Sequence, residues 1–159
     1  MANDFFGSNM IIIKNLLYYI LNFFVTFGVS ISIVFFSIFK AEKICYNIFK
    51  FWGKTLFKLT GSDYEFSGLE NIDISENYIF CPNHTSAFDI YILSGYLPFK
   101  FAWVSKIEYF KVPFVGRAMR ALNFVGINRT NPKKAYTSIK QAVEIINKKK
   151  LSVIIFPEG

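Results

Sequence analysis

The chain has a single histidine, two cysteines and, from residue 15 to residue 39, no charged residue at all. One imidazole leaves no partner for a histidine-based metal site, so no metal is expected. Cys45 and Cys81 lie far apart without a CxxC spacing, and encode neither a disulfide framework nor a zinc cluster. Both are expected as reduced, mostly buried thiols. Acidic residues are scarce too, 11 against 18 lysines and arginines, which leaves a net charge of +7. A basic balance attracts nucleic acid, anionic lipid surfaces or phosphorylated substrates. No aromatic-basic RNA motif is present, and a nucleic-acid module would leave the charge-free run unexplained.

The residues present in quantity are apolar. Hydrophobic residues make up 53% of the 159 and the mean hydropathy is +0.34, which points to a membrane segment. The run "NLLYYILNFFVTFGVSISIVFFSIF" lies between Lys14 and Lys40. As a helix it is about 37 Å long at about 1.5 Å per residue, against a hydrocarbon core of about 30 Å. Gly28, Ser30 and Ser32 sit near its middle, so a tilted spanning helix and a kinked helix entering one leaflet both remain open. The preceding "MANDFFGSNM" lacks the basic residues of a signal peptide. Lys40, Lys43, Lys50, Lys54 and Lys58 lie beyond the run, and this asymmetry predicts a cytoplasmic location for the C-terminal part of the chain. Residues 44–59, "ICYNIFKFWGKTLFKL", interleave apolar residues with lysines. They are read as an amphipathic helix lying in the interface, with packing on the protein body as the alternative.

From Gly61 the composition is that of a soluble α/β domain. Residues 61–77 read as polar loops and short strands. "YIFCPN" (78–83) is predicted as a buried strand, "FAWVSK" (101–106) as a second and "NFVGINR" (123–129) as a third. Helices are predicted from Thr85 to Leu97 and from Phe114 to Leu122. A third begins after Pro132, with Ala135, Ile139, Ala142, Val143 and Ile146 on one face. "LSVIIFPEG" closes the chain as a β-branched run and a turn. Alternation of strands and helices predicts a mostly parallel sheet flanked by helices, preceded by a membrane-embedded helical segment. The expected division is 1–60 for the membrane and interfacial helices and 61–159 for the α/β domain. That domain is expected to be incomplete, because the chain stops directly after a strand and a turn.

Two readings attach to "CPNHTSAFDI" (81–90). His84 can be a general base whose tautomer is fixed by Asp89. Equally, Ser86-x-x-Asp89 fits a capping box at a helix start, with His84 as a turn residue. Further stretches occur in order: "VSKIEYFKVPFVG" (104–116), "VGINRT" (125–130) and "FPEG" (156–159). Together with "NHTSAFD" (83–89) they resemble the blocks of the lysophosphatidic acid acyltransferase family of membrane glycerolipid acyltransferases. The matching residues are His84 and Asp89, then Lys106, Glu108, Pro113 and Gly116, then Gly126 and Arg129, then Pro157, Glu158 and Gly159.

The resemblance covers roughly residues 76 to 159. It implies an O-acyltransferase in phospholipid biosynthesis. In that role His84 deprotonates the acceptor hydroxyl and Asp89 orients it. The donor is acyl-CoA or acyl carrier protein, with no further cofactor. The acceptor is lysophosphatidic acid, or alternatively glycerol 3-phosphate or another lysophospholipid. Arg129 is expected to bind the acceptor phosphate bidentately. Glu158, Gly159 and Gly126 join it as substrate contacts, and Lys106 either neutralises phosphate or is a solvated lysine. No serine or cysteine sits in a nucleophile elbow, so no acyl-enzyme is expected. The implied location is a membrane with the catalytic domain on the cytoplasmic side, in the bacterial inner membrane or endoplasmic reticulum. A non-catalytic, truncated lipid-binding protein is the remaining alternative.

Overall fold

The computed structural model describes residues 2–157. The charge-free run lies inside one continuous helix, α1 (Ala2–Ile38), which passes through Gly28 without a break. The hydroxyls of Ser30 and Ser32 donate to the carbonyls of Thr26 and Gly28, four residues back, so neither hydroxyl competes for other partners. The helix ends when Lys40 turns to φ 54°. The Lys40 amide then donates to Ser37 O and the Ala41 amide to Phe36 O. This is a Schellman ending with lysine in the left-handed position.

The reversal lays α2 (Glu42–Leu59) back along the protein. Its apolar stripe is buried in protein: Cys45, Tyr46, Phe49, Leu56 and Phe57 face inward. The amphipathic pattern is thus met by packing on the body. Ile44, Phe51 and Leu59 stay exposed on the opposite side. Lys50, one of the five lysines after the charge-free run, donates to the carbonyl of Leu97 at 2.9 Å.

Four strands make one parallel sheet in the order β1-β4-β2-β3, with β1 Ile79–Phe80, β2 Phe101–Lys106, β3 Val125–Ile127 and β4 Ser152–Ile155. The helices α3 (Ala87–Tyr96), α4 (Val115–Ala121) and α5 (Pro132–Lys149) connect them. Alternation along the central strands sends Phe101, Trp103 and Ile154 to one face, where they join residues of α1, α2 and α4. Val104, Val125, Ile127 and Val153 form the other face, covered by Ala135 and Ile146 of α5.

Several expectations are corrected. Residues 61–77 form no strand; their regular element is a 3₁₀ turn at Leu69–Asn71. The strand expected to be buried at 78–83 is two residues long and sits at the sheet edge, with Ile79 74% exposed. Cys45 is buried but Cys81 is exposed. On α5, Ile139 and Val143 are about half exposed rather than core, and the side chain of Ala142 lies outside the described residues.

Candidate active site

All four strands run the same way, so the residues just past each strand gather at one carboxyl edge. His84 comes after β1, Lys106 ends β2, Arg129 comes after β3 and Phe156 after β4. Helix α3 starts at this edge. Ser86 is its N-cap, with an extended backbone at φ −152°, ψ 152°, and its hydroxyl accepts from the Phe88 amide. Asp89 completes the capping box by reaching back to the Ser86 amide.

One oxygen of Asp89 does more than cap. Oδ2 accepts from the amides of Thr85 and Ser86, both at 2.9 Å, and lies 3.1 Å from His84 Nδ1. The two readings of the motif are therefore one arrangement: the cap fixes the carboxylate, and the capped carboxylate holds the imidazole. Burial pushes the Asp89 carboxyl up. The Ser86 and Thr85 amides and then His84 push it down harder, leaving it below the ordinary carboxylate value. An ionised carboxylate can only accept, so Nδ1 is the donor of this pair, and in a neutral ring that leaves Nε2 as the acceptor.

The ring plane is fixed from a second direction. Phe156 stacks on His84 with centroids 3.9 Å apart and planes 10° apart. Phe156 rests on Trp103 in turn, at 5.1 Å. Trp103 Nε1 donates to the fully buried Ser94 hydroxyl at 3.1 Å. Neither Phe156 nor Trp103 carried an expected role. Trp103 lies within β2 and Phe156 opens the FPEG block just after β4, and only the parallel sheet shows that Phe156 lies against His84.

His84 lines a cavity of about 550 Å³, within the range that holds small ligands. Its walls are Val29 and Ile33 of α1, Phe49 and Trp52 of α2, Ile90, Trp103, Met119 and Leu122, so most of it is apolar. Lys106 and Arg129 are its charged residues, and besides His84, Ser105, Thr26, Ser30, Tyr91 and Tyr109 add polar groups. The Ser105 hydroxyl is buried there without a hydrogen-bond partner, and sequence reading did not single it out. Gly126 does not line this cavity. A Cβ on it would come within 2.6 Å of Ile107 and 2.9 Å of Phe110, so the position is a glycine for packing. Glu158 and Gly159 lie outside the described residues. A smaller cavity of about 360 Å³, between Ile107 and the first turns of α5, contains none of the expected site residues.

Among the described residues no cluster of acids, cysteines and histidine fits a metal ion. The arrangement supplies an oriented base, a mostly apolar cavity and two cations on its lining. That set fits proton removal from a hydroxyl carried on a molecule with an apolar tail and an anionic head.

Known proteins share this framework. Residues 63–159 match the family model described as Acyltransferase. A 1-acyl-sn-glycerol-3-phosphate acyltransferase from Limnanthes alba is 33% identical over 107 residues, covering 67% of this chain and 37% of that protein. The protein of that name from Cocos nucifera is 35% identical over 107 residues, 67% of this chain and 34% of its own length. The crystal structure of the 1-acyl-sn-glycerophosphate acyltransferase PlsC from Thermotoga maritima matches with a TM-score of 0.74 at 28% identity, over 93% of this chain and 60% of that one. The chain spans about a third of the length of these curated relatives. The matched region holds the whole parallel sheet and the His84–Asp89 pair, and the chain belongs to the acyltransferase family.

Proposed function

We propose that the chain is the catalytic part of a membrane-associated O-acyltransferase. It moves a fatty acyl group from acyl-CoA or acyl carrier protein to the free hydroxyl of lysophosphatidic acid, giving phosphatidic acid. The observation that carries this reading is the 3.1 Å His84–Asp89 contact on the wall of an apolar cavity. The names of the relatives support the acceptor.

In this reading the residues at the site act as follows. Nε2 of His84 takes the proton of the acceptor hydroxyl while Asp89 stabilises the imidazolium that forms. The acceptor oxygen bonds to the thioester carbonyl carbon and the C–S bond breaks. The departing sulfur takes the proton from the imidazolium, leaving ester, free thiol and neutral histidine. No acyl-enzyme enters: Ser86 Oγ serves the helix cap, and the described hydrogen bonds of His84 run to Asp89 alone. Arg129 takes two phosphate oxygens of the acceptor and Lys106 adds a second positive charge. By the family resemblance, Glu158 and Gly159 are assigned to the glycerol-phosphate end.

Helix α1 supplies the membrane attachment. Its stretch Ile11–Ile38 is 28 residues long with a hydropathy of 2.0, and only 11% of the most apolar part is buried. That length suffices to cross a bilayer. The lysines after it assign the catalytic body to the cytoplasmic face.

Lipid-product analysis with both donor types and an acceptor panel tests the proposal. His84→Ala is expected to lose about 10²–10⁴-fold in turnover. A variant that turns over like the wild type removes His84 from the mechanism. Acylation of glycerol 3-phosphate or another lysophospholipid alone overturns the acceptor while leaving the chemistry standing.

A further inference from the structure

Between β2 and α4 the chain makes a loop that the proposed reaction does not use. Its construction is rigid. Phe110, 5% exposed, is its buried anchor. The Phe110 carbonyl accepts from Arg120 Nη2 at 3.0 Å. Gly116 presses so closely on that carbonyl that a Cβ would overlap it. The Gly116 amide donates to Val112 O at 2.8 Å and the Val115 amide to Pro113 O at 2.7 Å. The second bond closes a γ-turn around Phe114 at φ 60°, ψ −50°, a backbone region that non-glycine residues seldom occupy.

The loop holds apolar side chains outward. Tyr109 is 57%, Val112 45% and Phe114 37% exposed, and Pro113, Lys111 and Arg117 are exposed beside them. Phe114 meets Phe27 of α1 edge to face, with centroids 5.5 Å apart. Phe27 stacks on Phe23. The apolar surface of the loop therefore continues onto the exposed Phe23 and Phe24 of α1. A strained turn that presents Val112, Pro113 and Phe114 to water has no stabilising return. A bilayer interface gives the apolar side chains acyl chains to enter, and gives Lys111 and Arg117 anionic head groups.

We propose that the Tyr109–Phe114 loop is a second membrane-contact element, inserting Val112 and Phe114 among the lipid chains beside α1. The inference rests on the reading of α1 as a membrane helix. It also locates the route to the site. Tyr109 and Val115 line the cavity from the loop side, and Thr26 and Val29 line it from α1. A lysophospholipid passes from the bilayer to His84 through the seam between them.

The test uses the protein in phosphatidylcholine–phosphatidylglycerol vesicles, with the exposed Cys81 changed to serine. A polarity-sensitive fluorophore is attached through Val112→Cys, through Phe24→Cys on α1, or through Tyr136→Cys on α5. Labels at positions 112 and 24 are expected to be quenched by spin-labelled lipid and shielded from aqueous iodide, with the reverse at 136. Phe114→Trp, read with brominated lipid above the background of Trp52 and Trp103, checks the loop without a label. A lipid-quenched label at 24, with a label at 112 open to iodide and an unquenched introduced tryptophan, overturns this proposal and spares the membrane reading of α1. Labels open to iodide at both positions overturn both. The double change Val112→Ser, Phe114→Ser is expected to lower kcat/KM about tenfold for lysophosphatidate in vesicles, and to leave a short-chain, monomeric acceptor near wild type. Equal loss on both acceptors overturns the proposal.

Discussion

Gly53 of α2 and Gly95 of α3 lie back to back, so close that a Cβ on Gly53 would sit 2.6 Å from the Gly95 amide nitrogen and one on Gly95 2.7 Å from the Lys54 amide nitrogen. This crossing sets how deeply α2 seats beside α3, whose first turn carries Asp89. Gly53→Ala and Gly95→Ala must each push two backbones apart. Each is expected to cost about 1–3 kcal/mol, the usual penalty for overpacking. Urea unfolding of each variant checks this, and an unchanged midpoint means the helices separate freely.

Tyr46 ties α2 to the start of β2. Its hydroxyl donates to Phe99 O at 3.2 Å and accepts from the Phe101 amide at 3.1 Å. Burial pushes this hydroxyl far above the ordinary tyrosine value, against the pull of the Phe101 amide. Tyr46→Phe strands a buried donor and acceptor, and about 1–3 kcal/mol of stability should be lost. Thermal unfolding of the variant measures it.

Asp89→Asn separates the two duties of one side chain. An amide oxygen can still accept from the Thr85 and Ser86 amides, so the cap should lose only about 1 kcal/mol. It cannot stabilise an imidazolium, so turnover should drop about 10²–10⁴-fold. A variant whose melting temperature collapses while its residual activity per folded molecule stays high would show that Asp89 only caps.

The same residue predicts a pH dependence. Its carboxyl is held below the ordinary aspartate value in the folded protein, by the Ser86 and Thr85 amides and by His84 against the opposing effect of burial. A depressed carboxylate stabilises the fold above its unfolded pKa, and that contribution is lost as pH falls through the lower folded value. The stability gap between wild type and Asp89→Asn should therefore still be open at about pH 5, and close below about pH 4. A gap that closes near neutrality would contradict the hydrogen bonding described.

Arg129→Ala should raise the acceptor KM and lower kcat, because a bidentate guanidinium both binds and orients phosphate. Steady-state kinetics with each substrate varied separately reads this. A change confined to the donor KM would assign Arg129 to the wrong end of the reaction.

Local pattern in the chain announced much of this. Charge-free length marked α1, and the apolar period marked α2 and α5. Ser86-x-x-Asp89 marked the start of α3, and the β-branched run marked β4. The parallel α/β class came from alternation, and His84, Asp89, Lys106 and Arg129 came from a resemblance carried by short motifs. The errors have physical causes. Residues 78–83 look like an interior strand, yet β1 pairs only with β4 and sits at the edge, which no local pattern encodes. Gly126 came from the same resemblance, and the Ile107 and Phe110 side chains lying over it are a packing reason for a glycine there, legible only in three dimensions.

Sequence by itself determined where helices start, which stretch is apolar enough for a bilayer, and that one imidazole has a carboxylate five residues on, because caps, periodicity and short spacing are local properties. Only the tertiary structure decided that His84, Lys106 and Arg129 share one cavity, that Phe156 stacks on the imidazole, and that Phe114 lies against α1. Those neighbours come from separate strands and helices, and they are joined by a parallel sheet that brings every strand end to the same edge.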